Sequence, residues 1–342
     1  MIVDIHGHVN APPELYHYQA TLFCDRGAHG QGGPALTDRH AAEWADRTLA
    51  VMDSVATDIQ LISPRPYAML HSVQPPSVVH WWIEANNDFI AAQVASRPDR
   101  LRGVAGLPQV HGTPVESWLP ELERAVRDLG FVGCLLNPDP AEGTAYTPPL
   151  GDRFWYPLYE KLVELEVPAL IHSAGCQNGR ESYSAHFITE ESIAVLSLLN
   201  STVLLDFPTL RLVVSHGGGS VPYQVGRWRA ARRHAKISQG QVLDEPFDVS
   251  LRRLYYDTCL YDALCLELLF RIVGADRCML GTEKPGSGSA PDPETGRDMD
   301  ELKPVIESLT SLSEADKRAI LGETAMAVYR LDASPASPGV SR

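Results

Sequence analysis

No run of apolar residues in this 342-residue chain approaches the roughly twenty needed to cross a bilayer, because charges or prolines interrupt each one. A helical membrane span is therefore not expected. The six cysteines, Cys24, Cys134, Cys176, Cys259, Cys265 and Cys278, include no Cys-x-x-Cys pair, and three sit inside apolar runs as buried thiols do. No charged-then-apolar leader precedes Asp4, so the simplest expectation is a cytoplasmic protein with reduced thiols. Basic residues are outnumbered, 29 Lys and Arg against 43 Asp and Glu, and the formal charge of -14 opposes nonspecific binding to nucleic acid or to an anionic membrane. An anionic substrate would need a local cationic pocket. No Gly-x-Gly-x-x-Gly follows any apolar run, which counts against a dinucleotide-binding doubly wound sheet.

What is present is a recurring alternation. With 44% hydrophobic and 21% charged residues the chain can bury a large core. Short β-rich runs recur at Ile2 to Ile5, Asp58 to Ile62, Leu101 to Ala105, Phe131 to Leu136, Pro168 to Ile171, Arg211 to Val214, Leu254 to Tyr256 and Cys278 to Leu280. Helical patterns lie between them. Ser117 to Leu129 places Leu119, Leu122, Val126 and Leu129 at near-helical spacing before Gly130. Asp152 to Leu165 has one aromatic and aliphatic face and stops before Val167-Pro168. Strands alternating with helices pair in parallel through crossovers, and eight such units predict a single-domain (β/α)8 TIM barrel over residues 1–331. Long loops are expected near 21–37 and 281–297, the Gly-rich Arg26 to Pro34 and the Gly, Pro and Ser-rich Gly281 to Gly296, each following a strand. Residues 332–342 read as a flexible tail.

The polar residues at strand ends carry the chemistry. His6 and His8, two apart in Ile5-His6-Gly7-His8, reach one face of an extended segment. His172 follows the fifth run, His216 the sixth, Asp257 the seventh and Glu283 the eighth. A barrel gathers these around one mouth, and three imidazoles with a carboxylate suffice for a zinc-like site. Arg65, after Ser63-Pro64, suits a substrate carboxylate. The cluster Arg227-Trp228-Arg229 with Arg232-Arg233-His234 reads as a solvated face or subunit contact, and Trp81-Trp82, in a helical segment, as core or interface.

Ile5-His6-Gly7-His8, His172, the Ser215 to Gly219 turn and the carboxylate after the eighth run resemble the amidohydrolase superfamily, while Ser63-Pro64-Arg65, Asn137-Pro138-Asp139-Pro140, Asp152 to Pro157 and Asp292 to Gly296 carry the closer match within it. Within it, the resemblance is to the branch of aminocarboxymuconate-semialdehyde decarboxylase, and there most to the 4-oxalomesaconate hydratases. It implies a metal-dependent-hydrolase barrel in which His6, His8, His172 and Glu283 hold one divalent ion, Zn²⁺ first and Mn²⁺ second. One ion is implied because Asn137 stands where dinuclear relatives carry a bridging Lys. Glu283, in place of the Asp of most relatives, and His216 are the implied catalytic pair, as ligand or base and as acid or base. Arg65, Asn137, His186 and Tyr223 are the implied substrate contacts. The Tyr183 to Phe187 stretch departs from the hydratases' pair of aromatic hydroxyls. The activity implied is reversible hydration of a conjugated C=C in a small anionic oxo-carboxylate, in aromatic-acid catabolism, by a cytoplasmic homodimer. Nonoxidative decarboxylation and lactone or amide hydrolysis are the alternatives.

Overall fold

A computed structural model describes residues 1–234, 236–237 and 244–331, so the expected tail at 332–342 lies outside the described residues. Eight parallel strands run in sequence order: β1 (Val3–His8), β2 (Ile59–Ser63), β3 (Leu101–Ala105), β4 (Gly133–Leu136), β5 (Ala169–Ile171), β6 (Leu212–Val214), β7 (Tyr255–Asp257) and β8 (Cys278–Met279). The ring closes through Ile5 N–H to Leu280 C=O at 2.9 Å and Glu283 N–H to His6 C=O at 2.7 Å. The fold is a (β/α)8 barrel.

Alternation along the strands sends side chains to two cores. Inside the ring, Val3, Ile5, Ile59, Leu61, Val104, Leu135, Leu170, Val213 and Met279 pack on Ala325, Val328, Tyr329 and Leu331. Between ring and helices, the opposite faces, such as Ile62, Ala105, Leu136, Ile171 and Val214, meet the apolar sides of the helices.

The helices are α1 (Pro13–Cys24), α2 (Asp38–Ser54), α3 (Pro76–Ser96), α4 (Leu119–Arg127), α5 (Tyr156–Leu165), α6 (Tyr183–Leu199), α7 (Val203–Asp206), α8 (Val225–Arg233), α9 (Phe247–Leu251) and α10 (Ala263–Val273). After β8 come α11 (Leu302–Ser308), α12 (Glu314–Arg318) and α13 (Thr324–Val328). Proline in the first turn opens α1, α3, α4 and α5, where its missing N–H has no intrahelical partner to lose. Gly130 follows α4 at φ 70°, as its position in the sequence implies. Glu166 rather than Val167-Pro168 ends α5, by taking a left-handed backbone at φ 53°.

Two expectations are corrected. Arg26 to Pro34 follows helix α1, not a strand, because Pro13 starts a helix directly after β1. Strand β1 also runs on through His8, beyond Ile5.

Strand β3 shows how tightly the ring is packed. A Cβ on Gly103 would lie 2.4 Å from two ring carbons of buried Phe131. Gly103→Ala is expected to destabilise the protein by about 1–3 kcal/mol through overpacking. Urea unfolding midpoints compared with wild type check this.

Candidate metal centre

Strict alternation would put Val3 and Ile5 on one face of β1 and His6 and His8 on the other. The register against β2 shifts between Asp4 and Gly7, so that Val3 pairs with Ile59 and His8 with Ser63. The extra residue inverts the parity. Val3 and Ile5 fill the barrel interior, while His6 and His8 turn into the mouth above them.

Each of three imidazoles is held by its Nδ1. His6 Nδ1 lies 2.7 Å from Asp257 Oδ2, His8 Nδ1 lies 2.9 Å from Ser63 Oγ, and His172 Nδ1 lies 2.7 Å from the Ser173 carbonyl. Ser63 Oγ itself donates to the Gly7 and Pro64 carbonyls, so it accepts from His8. All three Nδ1 atoms therefore face acceptors and carry the proton, which leaves a lone pair on each Nε2. Those three Nε2 atoms are buried and have no partner within the protein. Burial, and after it the neighbouring histidines, holds His8 and His172 well below the ordinary imidazole pKa, so both are neutral.

Glu283 completes the cluster. Its N–H on the His6 carbonyl and its left-handed backbone at φ 59° turn the side chain back over β1. Oε1 comes within 3.8 Å of His8 Nε2, and Oε2 accepts from Tyr261 Oη at 3.1 Å. One donor atom from each of His6, His8, His172 and Glu283 lies within 4.8 Å of the others. Three converging lone pairs and a carboxylate, otherwise uncompensated in a buried site, fit a divalent cation.

Asp257 is satisfied on all sides, its Oδ1 accepting from the Gly217 and Cys259 N–H groups at 3.0 and 3.1 Å. Burial works to raise its carboxyl, but the His6 hydrogen bond and the nearby imidazoles outweigh that and hold it below the ordinary range. It thus orients His6 as an anion.

His216 stands at φ 50°, ahead of three glycines that all adopt positive φ. Its Nδ1 lies 2.9 Å from both oxygens of buried Glu191, and its ring stacks on Phe187. Burial lowers the His216 pKa, but Glu191, then Asp257 and Glu283, outweigh it and push the ring up to about 9. These carboxylates favour the protonated ring, whose centroid lies 5.1 Å from that of His172.

A cavity of about 320 Å³ opens above the cluster, lined by His8, Arg65, Tyr67, His172, Tyr183, Phe187, Glu283 and the Pro285 to Ser289 loop. Arg65 donates to Asn10 Oδ1, and among the described residues no carboxylate comes within ion-pairing distance of it. The loop is anchored by Lys284, buried and paired with Asp298 and Asp300 at 2.7 Å each.

Three sequence-derived substrate contacts lie elsewhere. Asn137 spends its side chain on His71 Nδ1 and on the backbone of Asp139, ordering the loop after β4. His186 turns to Glu181, 2.8 Å away, and Tyr223 is 76% exposed. None of the three lines the cavity, and neither does His216, although one of its ring nitrogens lies within 4.8 Å of a Glu283 oxygen. Conversely, Glu191 and Tyr261 were not anticipated. Glu191 sits four residues after Phe187 on the buried face of α6, a carboxylate within an apolar stripe, which is a readable signal. Tyr261 lies in a loop at φ 58° and leaves none.

A (β/α)8 barrel whose mouth collects this His-x-His pair, a further His directly after β5 and an acid after β8 defines a metal-dependent enzyme of the amidohydrolase type. The chain belongs to that family: the amidohydrolase family matches residues 3–331. It is 36% identical to a 2-keto-4-carboxy-3-hexenedioate hydratase of Sphingobium sp., over 99% of each chain. It is 28% identical to a gamma-resorcylate decarboxylase of Polaromonas sp., over 84% of this chain and 87% of that one. Among solved structures, the 4-oxalomesaconate hydratase of Rhodopseudomonas palustris superposes with a TM-score of 0.85 at 32% identity, covering 96% of each chain. A dihydroxybenzoic acid decarboxylase from Polaromonas sp., solved with manganese and 2-nitroresorcinol, shares the fold at TM-score 0.71 and 24% identity, again over 96% of each chain. The protein is an enzyme, and its hydratase and decarboxylase relatives place it among lyases.

Proposed function

We propose that the chain is a hydratase that reversibly adds water to a C=C bond conjugated to a carbonyl, in an unsaturated oxo-carboxylate of the 4-oxalomesaconate type, within aromatic-acid catabolism. The observation that carries this is Glu283: a carboxylate with one oxygen free toward the three histidines, in a cavity whose cation is the carboxylate-free Arg65. The full-length likeness to hydratases supports it. His6, His8, His172 and Glu283 would hold one divalent ion, Zn²⁺ by its preference for imidazole and carboxylate donors. When bound, it supplies Lewis acidity and lowers the pKa of water.

Arg65 binds a substrate carboxylate through its guanidinium. Glu283 accepts a proton as the water oxygen bonds to the β carbon, and the alkene electrons move onto the carbonyl as an enolate. His216, held protonated by Glu191, gives its proton to the α carbon, and the C=O re-forms. Tyr67 and Tyr183, with ring centroids 6.2 Å apart, both line the cavity. No helix among the described residues is long and apolar enough to cross a membrane. A cytoplasmic homodimer, implied by the resemblance, is part of the same proposal, and sedimentation of the purified protein reports the assembly.

The test is loss of the conjugated ultraviolet absorbance of 4-oxalomesaconate on adding enzyme, with no carbon dioxide released. Carbon dioxide release would assign the decarboxylase reading, and acid release with the alkene intact a hydrolase. Within the hydratase, Arg65→Lys keeps the charge and loses the planar fork. It is expected to raise KM about tenfold, about 1.4 kcal/mol, with kcat little changed.

A further inference from the structure

In the segment after β5 and the first turn of α6, beside the part of the cavity wall formed by Tyr183 and Phe187, three donors of different chemistry meet: the Cys176 thiol, the Glu181 carboxylate and the His186 imidazole. One donor atom of each lies within 4.8 Å of the others. Glu181 Oε2 is 2.8 Å from His186 Nδ1 and 3.9 Å from Cys176 Sγ. Burial, and then Glu181 with the other nearby carboxylates, raises the Cys176 pKa against one opposing contact, so without an ion the sulfur is a thiol. The Asn178 N–H, two residues on, donates to Cys176 Sγ at 3.3 Å, and backbone N–H groups aimed at sulfur stabilise metal-bound thiolates. The neighbourhood is also short of positive charge. Burial and then Asp139, with Glu181 adding to them and His186 opposing, push the Glu190 carboxyl up to about 7.

We propose that Cys176, Glu181 and His186 form a second divalent-metal site, separate from the barrel centre and of the Zn²⁺ class. Thiolate and imidazole donors select zinc over magnesium or calcium, and three protein ligands leave one position for water. On binding, the Cys176 S–H bond breaks and its proton goes to solvent as sulfur coordinates, while His186 coordinates through its neutral ring. The site has a consequence for the cavity. Tyr183 lies between Glu181 and His186 in sequence and lines the cavity wall, so an ion here ties down the segment that carries it. That consequence rests on the cavity as the substrate site; the metal site itself does not.

The whole enzyme, stripped of metal, is titrated with Co²⁺ and in parallel with Zn²⁺. Two ions are expected to bind, the second bringing a sulfur-to-cobalt charge-transfer band that Cys176→Ser abolishes while one ion still binds. Excess Zn²⁺ should slow alkylation of Cys176 by about tenfold or more. The exposed Cys24 and Cys265 serve as internal controls and should be unaffected. Saturation at one ion, unchanged Cys176 alkylation, or a charge-transfer band that survives Cys176→Ser would overturn the proposal. None of these readouts uses turnover, so a failed hydratase assignment leaves this test intact.

Discussion

Glu283→Gln is expected to lower kcat by about a thousandfold, within the range that general acid–base groups contribute, while the protein keeps close to one equivalent of metal at the barrel centre. The substitution preserves volume and the Tyr261 hydrogen bond, because an amide oxygen accepts as a carboxylate does. What it removes is the charge and the proton affinity of the oxygen facing His8 Nε2. The three Nδ1-anchored histidines remain aimed at the ion, so its retention separates a base from an indispensable ligand. Single-turnover rates with metal analysis on the same sample decide the matter. Activity within tenfold of wild type would remove Glu283 from the chemistry.

His172→Ala is the second large effect. Binding free energies near 10–16 kcal/mol for four-ligand zinc sites imply roughly 3 kcal/mol or more per ligand, so affinity should fall by at least about a hundredfold and turnover with it. The metal-free protein should respond differently. There the imidazole makes one bond, to the Ser173 carbonyl, while its Nε2 is buried without a partner and its ring stands beside those of His6, His8, His216 and Phe187. Removing it relieves that burial at the expense of a small void. The melting-temperature gap between metal-loaded and chelator-treated enzyme should therefore shrink in the variant. An undiminished gap would show that His172 does not hold the ion.

The ring of candidate groups was legible because a barrel converts position into proximity. His6, His8, His172, His216 and Glu283 each follow or end an apolar run, and parallel strands place such ends at one mouth. The barrel itself was legible from eight runs. Side-chain direction in loops was not, since no periodicity governs it: Asn137 and Tyr223 sit in the expected segments but point to His71 and to solvent, and His186, in the first turn of α6, turns to Glu181 in the preceding loop. The bulge in β1 was likewise hidden, because one extra residue leaves composition untouched and only cross-strand register reveals it. Tyr261 reaches Glu283 from another loop, a contact made by backbone twist and not by spacing.

The inner core of the barrel is closed from below by Ala325, Val328, Tyr329 and Leu331. During synthesis the first histidine pair leaves the ribosome more than three hundred residues ahead of this plug, by the chain's own numbering. Domains fold as units, N-terminal parts waiting for their partners. An arrested nascent chain ending near residue 320 would already carry every candidate ligand of the barrel centre yet have an open floor, with Val3, Ile5 and Leu61 wet. The emergence of Ala325 to Leu331 therefore sets when His6 and His8 can begin to work.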